Sequence, residues 1–184
     1  MDINIAIDSN TWTYAIEAVR PEYDPSDDDF GLAPERIAIL RIRFYGNLSI
    51  GIFPSVHAEI KKIGNEGYLK AHEQSNLFYY IRPPNDAPVN HEKERWINNR
   101  THEFLCFHSG PKDCRITAEA EYYKLNGLLT CDEKFLRNLG DKTRGLLLKK
   151  PTQYWETLGV EPGSTPIISP APPNPLYHKT WWRI

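Results

Sequence analysis

The sequence predicts an α/β fold in which helices cover both faces of a central, mainly parallel β-sheet. Short runs of apolar and β-branched residues alternate with stretches whose apolar residues recur at helical spacing, and this alternation is typical of parallel sheets. The chain has 184 residues, of which 40% are hydrophobic and 25% charged. Because a chain of this size can bury one substantial core, a single globular domain is expected.

The first half of the chain shows the alternation in order. Residues 3–7 predict a strand, and Asp8 follows as a helix N-cap before apolar residues at positions 12, 15, 16 and 19. Residues 21–34 carry acids and prolines without apolar periodicity, which predicts a loop. The next predicted elements are a helix from Pro34 to about Phe44, a strand at residues 49–53 and a helix from Pro54 to near Gly64.

The second half resumes the alternation after residues 65–90, which support no firm assignment. The predicted elements are a charged helix at residues 91–100, a short strand at 104–107, a helix capped by Asp113, a strand at 128–131, a helix capped by Asp132, a strand at 145–148 and a helix at 151–158.

Six prolines then fall within residues 162–175. They divide the chain into a domain at residues 1–160, which we expect to fold alone, and a Pro-rich C-terminal extension at residues 161–184. The aromatic residues at positions 177, 181 and 182 are expected to dock on this domain or on another chain.

Charge and cysteine content limit the partners and the compartment. The formal net charge of −2 is unusual for a nucleic-acid binder, but five acids are concentrated in residues 22–29 and four more are candidate site residues. Setting these nine aside changes the formal charge from −2 to +7, so RNA stays open as a substrate. The three cysteines lack a Cys-x-x-Cys spacing, and no apolar run approaches the roughly 18 residues of a membrane helix. We therefore expect a cytoplasmic protein with no membrane association.

Four acids are predicted where strands end and helices begin. Asp8 follows the first strand, Glu59 lies early in the helix after the second, Asp113 begins a helix, and Asp132 follows the strand at residues 128–131. Each acid alone is explained by helix capping or by the helix dipole. Together at one edge of a sheet they would repel one another unless a cation neutralised them, and clustered carboxylates prefer Mg²⁺ or Mn²⁺. They are therefore candidate metal ligands.

Four motifs that contain these acids resemble, in order, the acidic motifs of the PIN-domain ribonuclease family, to which VapC-type toxins belong. The motifs are Ile7-Asp8-Ser9-Asn10, Pro54-Ser55-Val56-His57-Ala58-Glu59-Ile60, Lys112-Asp113-Cys114-Arg115-Ile116-Thr117-Ala118-Glu119-Ala120 and Leu128-Leu129-Thr130-Cys131-Asp132-Glu133-Lys134-Phe135. The resemblance extends from about residue 3 to residue 158. It implies a three-layer α/β/α PIN-like fold and an endoribonuclease activity that depends on Mg²⁺ or Mn²⁺.

The resemblance also implies roles for individual residues. One acidic pocket would bind the metal and catalyse hydrolysis of RNA, formed by Asp8, Glu59, Asp113 and Asp132. Asn10 would support the first acid, and Thr130 would place a hydroxyl beside the metal. Basic residues next to the motifs are candidates for contacts with RNA phosphates, namely Lys62, Lys112 and Arg115.

The family resemblance leaves the biological role open. Glu59 and Asp113 are separated by 53 residues, more than in compact members of the family. The chain is interpreted either as a ribonuclease, toxin-like or not, or as a catalytically weak or inactive PIN-like subunit that binds or assembles with others. An antitoxin-like or other protein partner and a homodimer are both compatible with the sequence.

The sequence also contains parts of two other kinds of site. Asp8-Ser9-Asn10-Thr11 also resembles the start of an aspartyl-nucleophile phosphatase, but such an enzyme needs a second acid where Asn10 stands. Three residues near position 105 have transition-metal ligand types but no second close pair to complete a tetrahedral set, namely His102, Cys106 and His108.

Overall fold

The computed structural model describes residues 4–28, 30–62, 64–74, 79–80 and 90–184, and within them the centre of the molecule is a sheet of five strands. The strands are β1 (Ile5–Ile7), β2 (Ile50–Ile52), β3 (Tyr79–Tyr80), β4 (Gly127–Leu129) and β5 (Leu147–Lys149), in the spatial order β3-β2-β1-β4-β5. Every pair of neighbouring strands is parallel, and Ile5 lies opposite both Ile50 and Gly127. The predicted parallel sheet is therefore confirmed.

The described part of the chain also contains eight α-helices. They are α1 (Ser9–Ala18), α2 (Ala33–Tyr45), α3 (Pro54–Ile60), α4 (Glu66–Gln74), α5 (His91–Leu105), α6 (Pro111–Tyr122), α7 (Glu133–Leu139) and α8 (Pro151–Thr157). Helix α1 packs on α2, α3 and α4, α2 packs on α8, and α5 packs on α6. The result is an α/β fold compatible with helices on both sides of the sheet. None of these helices combines the length and apolar character needed to cross a membrane.

The central strands are buried because each has a strand on both sides and because helices pack against the sheet. Every position of β1, β2 and β4 is buried, whereas the edge strand β5 leaves Leu147 45% exposed. The main core packs strand residues against side chains of the helices, among them Trp12, Phe104 and Phe135. Each such side chain contributes about 1.5–3 kcal/mol through burial, and together they fix the helices that carry the candidate site.

The predicted strand at residues 104–107 is wrong, because α5 continues through Leu105. Ile97 and Phe104 are seven residues apart and both completely buried, so they lie on one helical stripe. Arg100 lies between them, with its guanidinium carbon 4.1 Å from the centre of the Phe104 ring. Phe104 thus belongs to the last turn of the charged helix, and Phe107 lies just beyond its end.

The expectation that Asp113 caps a helix is also wrong. Helix α6 begins at Pro111 with Gly110 as its N-cap, and Asp113 lies in its first turn. Proline suits the first helical position because it has no N–H group to leave unpaired. The helix therefore starts ahead of Asp113, and the Asp113 carboxylate is left for contacts with side chains.

The C-terminal extension packs on its own domain. Leu176 and Trp182 are 1% exposed and form a second core with residues of α1 and α2, including Phe44 and Tyr45. Arg41 of α2 donates hydrogen bonds of 3.0 and 2.8 Å to the backbone oxygens of Trp182 and Arg183. Of the two docking partners expected for these aromatic residues, the structure shows the chain's own domain. The independent folding of residues 1–160 stays a prediction.

Candidate functional site

A cleft of about 370 Å³ lies at the carboxyl ends of the central strands. The chain runs from β1 outward to β2 and β3, and then returns to place β4 on the other side of β1. Such a reversal of strand order opens a crevice beyond the strand ends, where ligands of open parallel sheets bind. The cleft is lined by all four acids singled out from the sequence, which are Asp8, Glu59, Asp113 and Asp132.

Asp8 lies directly after β1 and is the most buried of the four acids, with 8% of its surface exposed. Its Oδ1 accepts a 2.7 Å hydrogen bond from the backbone N–H of Thr11, so it caps α1 as predicted. Burial raises the pKa of Asp8 above its usual value; hydrogen bonds from Thr130 and Thr11 oppose this increase, and the charge of Asp113 adds to it. A cation bound next to Asp8 would therefore favour the charged form of its carboxyl group.

Asp132 and Thr130 follow β4 and connect to Asp8. Asp132 caps α7, as the sequence predicts, because its Oδ1 accepts hydrogen bonds of 2.7 and 2.9 Å from the N–H groups of Lys134 and Phe135. The completely buried Thr130 hydroxyl accepts a 3.0 Å hydrogen bond from the N–H of Asp132 and also interacts with Asp8. Thr130 thus fixes the two acids that follow neighbouring strands.

Asp113 enters the cleft from the first turn of α6 and is held by a histidine. Its Oδ2 lies 2.8 Å from Nε2 of His108, whose side chain is 4% exposed. Sequence reasoning treated His108 only as part of an incomplete metal set. A signal was nevertheless present, because a histidine two residues before the N-cap of a helix can reach an acid in its first turn.

Glu59 lies in the last turn of α3, not early in the helix as predicted, because α3 ends at Ile60. It pairs with Lys112, which projects from α6. This contact neutralises the acid with one of the predicted RNA-binding cations. Arg115 is likewise engaged, through 3.1 Å contacts with Glu119 and Glu94. Lys62 also lines the cleft, and within the described residues its ammonium group has no ion-pair partner.

Asn10 and Ser55 complete the polar lining, and Ser55 leads to an acid that sequence reasoning missed. The Ser55 hydroxyl donates a 2.5 Å hydrogen bond to Oε2 of Glu119, whose surface is 7% exposed and whose pKa is raised by burial. The signal was the spacing of Glu119, three residues after the buried Ile116 on the apolar stripe of α6. Asn10 is exposed in the first turn of α1.

The donor set of the cleft fits a hard divalent cation in its chemistry. Carboxylate oxygens are the ligands that Mg²⁺ and Mn²⁺ prefer, and the lining supplies four carboxylates. In the part of the chain that the structure describes, no group of three or more His, Cys, Asp or Glu residues is already arranged to hold a metal ion. Each acid instead has a partner within the protein. A cation would therefore have to displace Lys112 from Glu59 and draw the carboxylates together.

Comparison with known proteins adds no family to this description. Neither the scan against protein-family models nor the search of curated proteins found a match for the chain. Any function assigned to the chain therefore depends on the cleft itself.

Proposed function

We propose that this chain is a PIN-type endoribonuclease that hydrolyses phosphodiester bonds of RNA with Mg²⁺ or Mn²⁺ bound in the acidic cleft. The observation that carries the proposal is the convergence of Asp8, Glu59, Asp113 and Asp132 on one cleft. These acids come from four segments up to 124 positions apart in the chain, between residues 8 and 132. Two helix N-caps, one first-turn acid and one acid at the end of a helix, if unrelated, have no reason to meet there.

Six of the lining residues have a role in this proposal. Asp8, Asp113 and Asp132 would hold the cation, and Glu59 would join them once Lys112 releases it. The chemistry that such a cation supplies when bound is polarisation of the phosphate and a lowered pKa of water. Lys62 and the released Lys112 would contact the RNA backbone. Asp8 and Thr130 are both buried, so water has little access to these two side chains.

The proposal is tested by RNA cleavage with single amide substitutions. Asp8→Asn and Asp113→Asn should each abolish Mg²⁺-dependent cleavage, because each removes a negative charge needed to hold the cation. Asp141→Asn is the matched control, since Asp141 is exposed and paired with its neighbour Lys142. Full cleavage by either site variant, with a mock preparation excluding contaminating nuclease, would refute the assignment.

A second measurement does not need the substrate. A cation that binds only the folded protein raises its stability by RT ln(1 + [L]/Kd), about 2.7 kcal/mol at a concentration 100 times Kd. Millimolar Mn²⁺ should therefore raise the melting temperature of the wild type and of Asp141→Asn. Asp8→Asn should show little response.

The alternative function is a PIN-like subunit that binds RNA or assembles with a partner without catalysis. The Glu59–Lys112 ion pair favours it, because that pair neutralises one of the four acids without any metal. A melting temperature indifferent to Mn²⁺, together with retained RNA binding, would make this alternative the better account.

A further inference from the structure

His108 connects the two helices that bring Asp113 and Asp132 to the cleft. Its ring stacks on Phe135 of α7, with ring centres 5.6 Å apart and an angle of 24° between the planes. Its Nδ1 lies 3.2 Å from Nδ2 of Asn138, also on α7, and its Nε2 lies 2.8 Å from Oδ2 of Asp113 on α6. The buried His108 imidazole therefore contacts Asp113 of α6 and both Phe135 and Asn138 of α7.

The hydrogen bonds assign the tautomer of this imidazole. The Asn138 amide nitrogen can only donate, so Nδ1 of His108 accepts. A neutral imidazole carries one N–H group, which then lies on Nε2 and donates to Oδ2 of Asp113. In the described residues Oδ1 of Asp113 has no hydrogen-bond partner, so it is the oxygen left for a ligand of the cleft.

Gly110 leaves the space that the contact between His108 and Asp113 needs. A Cβ atom at position 110 would lie 2.5 Å from Oδ2 of Asp113 and 2.6 Å from Nε2 of His108. The φ angle of Gly110 is −84°, which any residue adopts, so backbone freedom does not explain the glycine. The space it leaves is filled by the histidine–carboxylate hydrogen bond.

We infer that His108 is a positioning residue of the candidate site. Its hydrogen bond to Oδ2 of Asp113 orients that carboxylate toward the cation, and Asn138 fixes the tautomer of His108. The inference rests on the proposed function, because it concerns an acid proposed to hold Mg²⁺ or Mn²⁺. Histidine and carboxylate partners of this kind orient metal-binding groups in many sites, and their loss weakens metal affinity about 10–100-fold.

The first test measures Mn²⁺ affinity of the full chain by calorimetry or by electron paramagnetic resonance. His108→Leu should weaken Mn²⁺ binding at least about tenfold, and His108→Gln should recover most of the affinity because its amide N–H can replace Nε2–H. His102→Gln, on the exposed part of α5, is the matched control. Gly110→Ala should weaken binding as His108→Leu does, since its methyl group separates the two partners without removing either.

The second test reads the tautomer directly and needs neither metal nor substrate. The ¹⁵N chemical shifts of the His108 ring, assigned by their loss in His108→Gln, should be those of the Nε2–H tautomer. Asn138→Leu should change these chemical shifts while leaving the chain folded. This variant therefore tests the inference without His108→Leu, whose loss of a buried side chain could unfold the chain.

The outcomes separate the two proposals. A wild type that binds no Mn²⁺ overturns the proposed function and this inference together. A wild type that binds Mn²⁺, with equal affinity in folded His108→Leu and Gly110→Ala, overturns this inference alone. Shifts of the Nδ1–H tautomer overturn it as well.

Discussion

Replacing Trp182 with alanine should lower the free energy of unfolding by about 3–5 kcal/mol. The indole is 1% exposed, its ring centre lies 4.8 Å from that of Phe44 and 6.2 Å from that of Tyr45, and its N–H donates a 3.1 Å hydrogen bond to the Leu176 carbonyl. The substitution would leave a large cavity between the extension and α2. In a domain of this size each kcal/mol shifts the melting temperature by about 2–4 °C, so we expect a decrease of roughly 6–20 °C.

Urea denaturation followed by circular dichroism measures this effect without using the fluorescence of the altered residue. Tyr177→Ala is the matched control in the same segment, because Tyr177 is 42% exposed and its loss should change stability by only about 0.5 kcal/mol. If Trp182→Ala unfolds within about 1 kcal/mol of the wild type, the extension does not pack on α2 in solution. Truncation after Gly159 should lower solubility for the same reason, since it exposes Phe44.

Three further results are expected. The folded-state pKa of Asp8 is raised, so the folded protein keeps a proton that the unfolded chain loses. The stability of the wild type relative to Asp8→Asn should therefore fall as pH rises from about 4 through that pKa, and then level off. Denaturation at a series of pH values measures this difference. Arg100→Met should destabilise the protein by about 3–5 kcal/mol, because Glu121 would lose its buried partner, and adding Glu121→Met should recover part of this loss in thermal denaturation. Burial raises the pKa of Cys131 to about 12, so iodoacetamide should modify it far more slowly than the exposed Cys106, as mass spectrometry of the peptides would show.

Four of the five strands and the helix N-caps at Asp8 and Asp132 were predictable because they depend on neighbouring residues. Asp8 and Asp132 cap α1 and α7 as expected, since each follows a buried strand and precedes an amphipathic stretch. Strand and helix alternation also indicated the parallel sheet. The end of α5 was mistaken for a strand because a short apolar run has no period of its own; only the burial of Phe104 beside Ile97 assigns it to the helix.

The contacts that define the site depend on residues far apart in the chain, and sequence alone could not supply them. The four acids could be placed at one edge of the sheet, but the Glu59–Lys112 pair depends on how α3 approaches α6. The His108–Asp113 contact is local by comparison, and it was missed because the start of α6 was placed too late. The docking of Trp182 on α2 likewise depends on the path of a Pro-rich segment with no periodicity.

The central position of β1 determines when the acidic cleft can form during synthesis. Residue 5 pairs with residue 127 on one side, and Asp132 follows only after that strand. A chain still attached to the ribosome therefore lacks a complete cleft until β4 and the start of α7 have emerged, because long-range parallel pairing waits for its partner strand. Whatever chemistry the cleft performs, the nascent protein is unable to perform it until most of its own sequence has been translated.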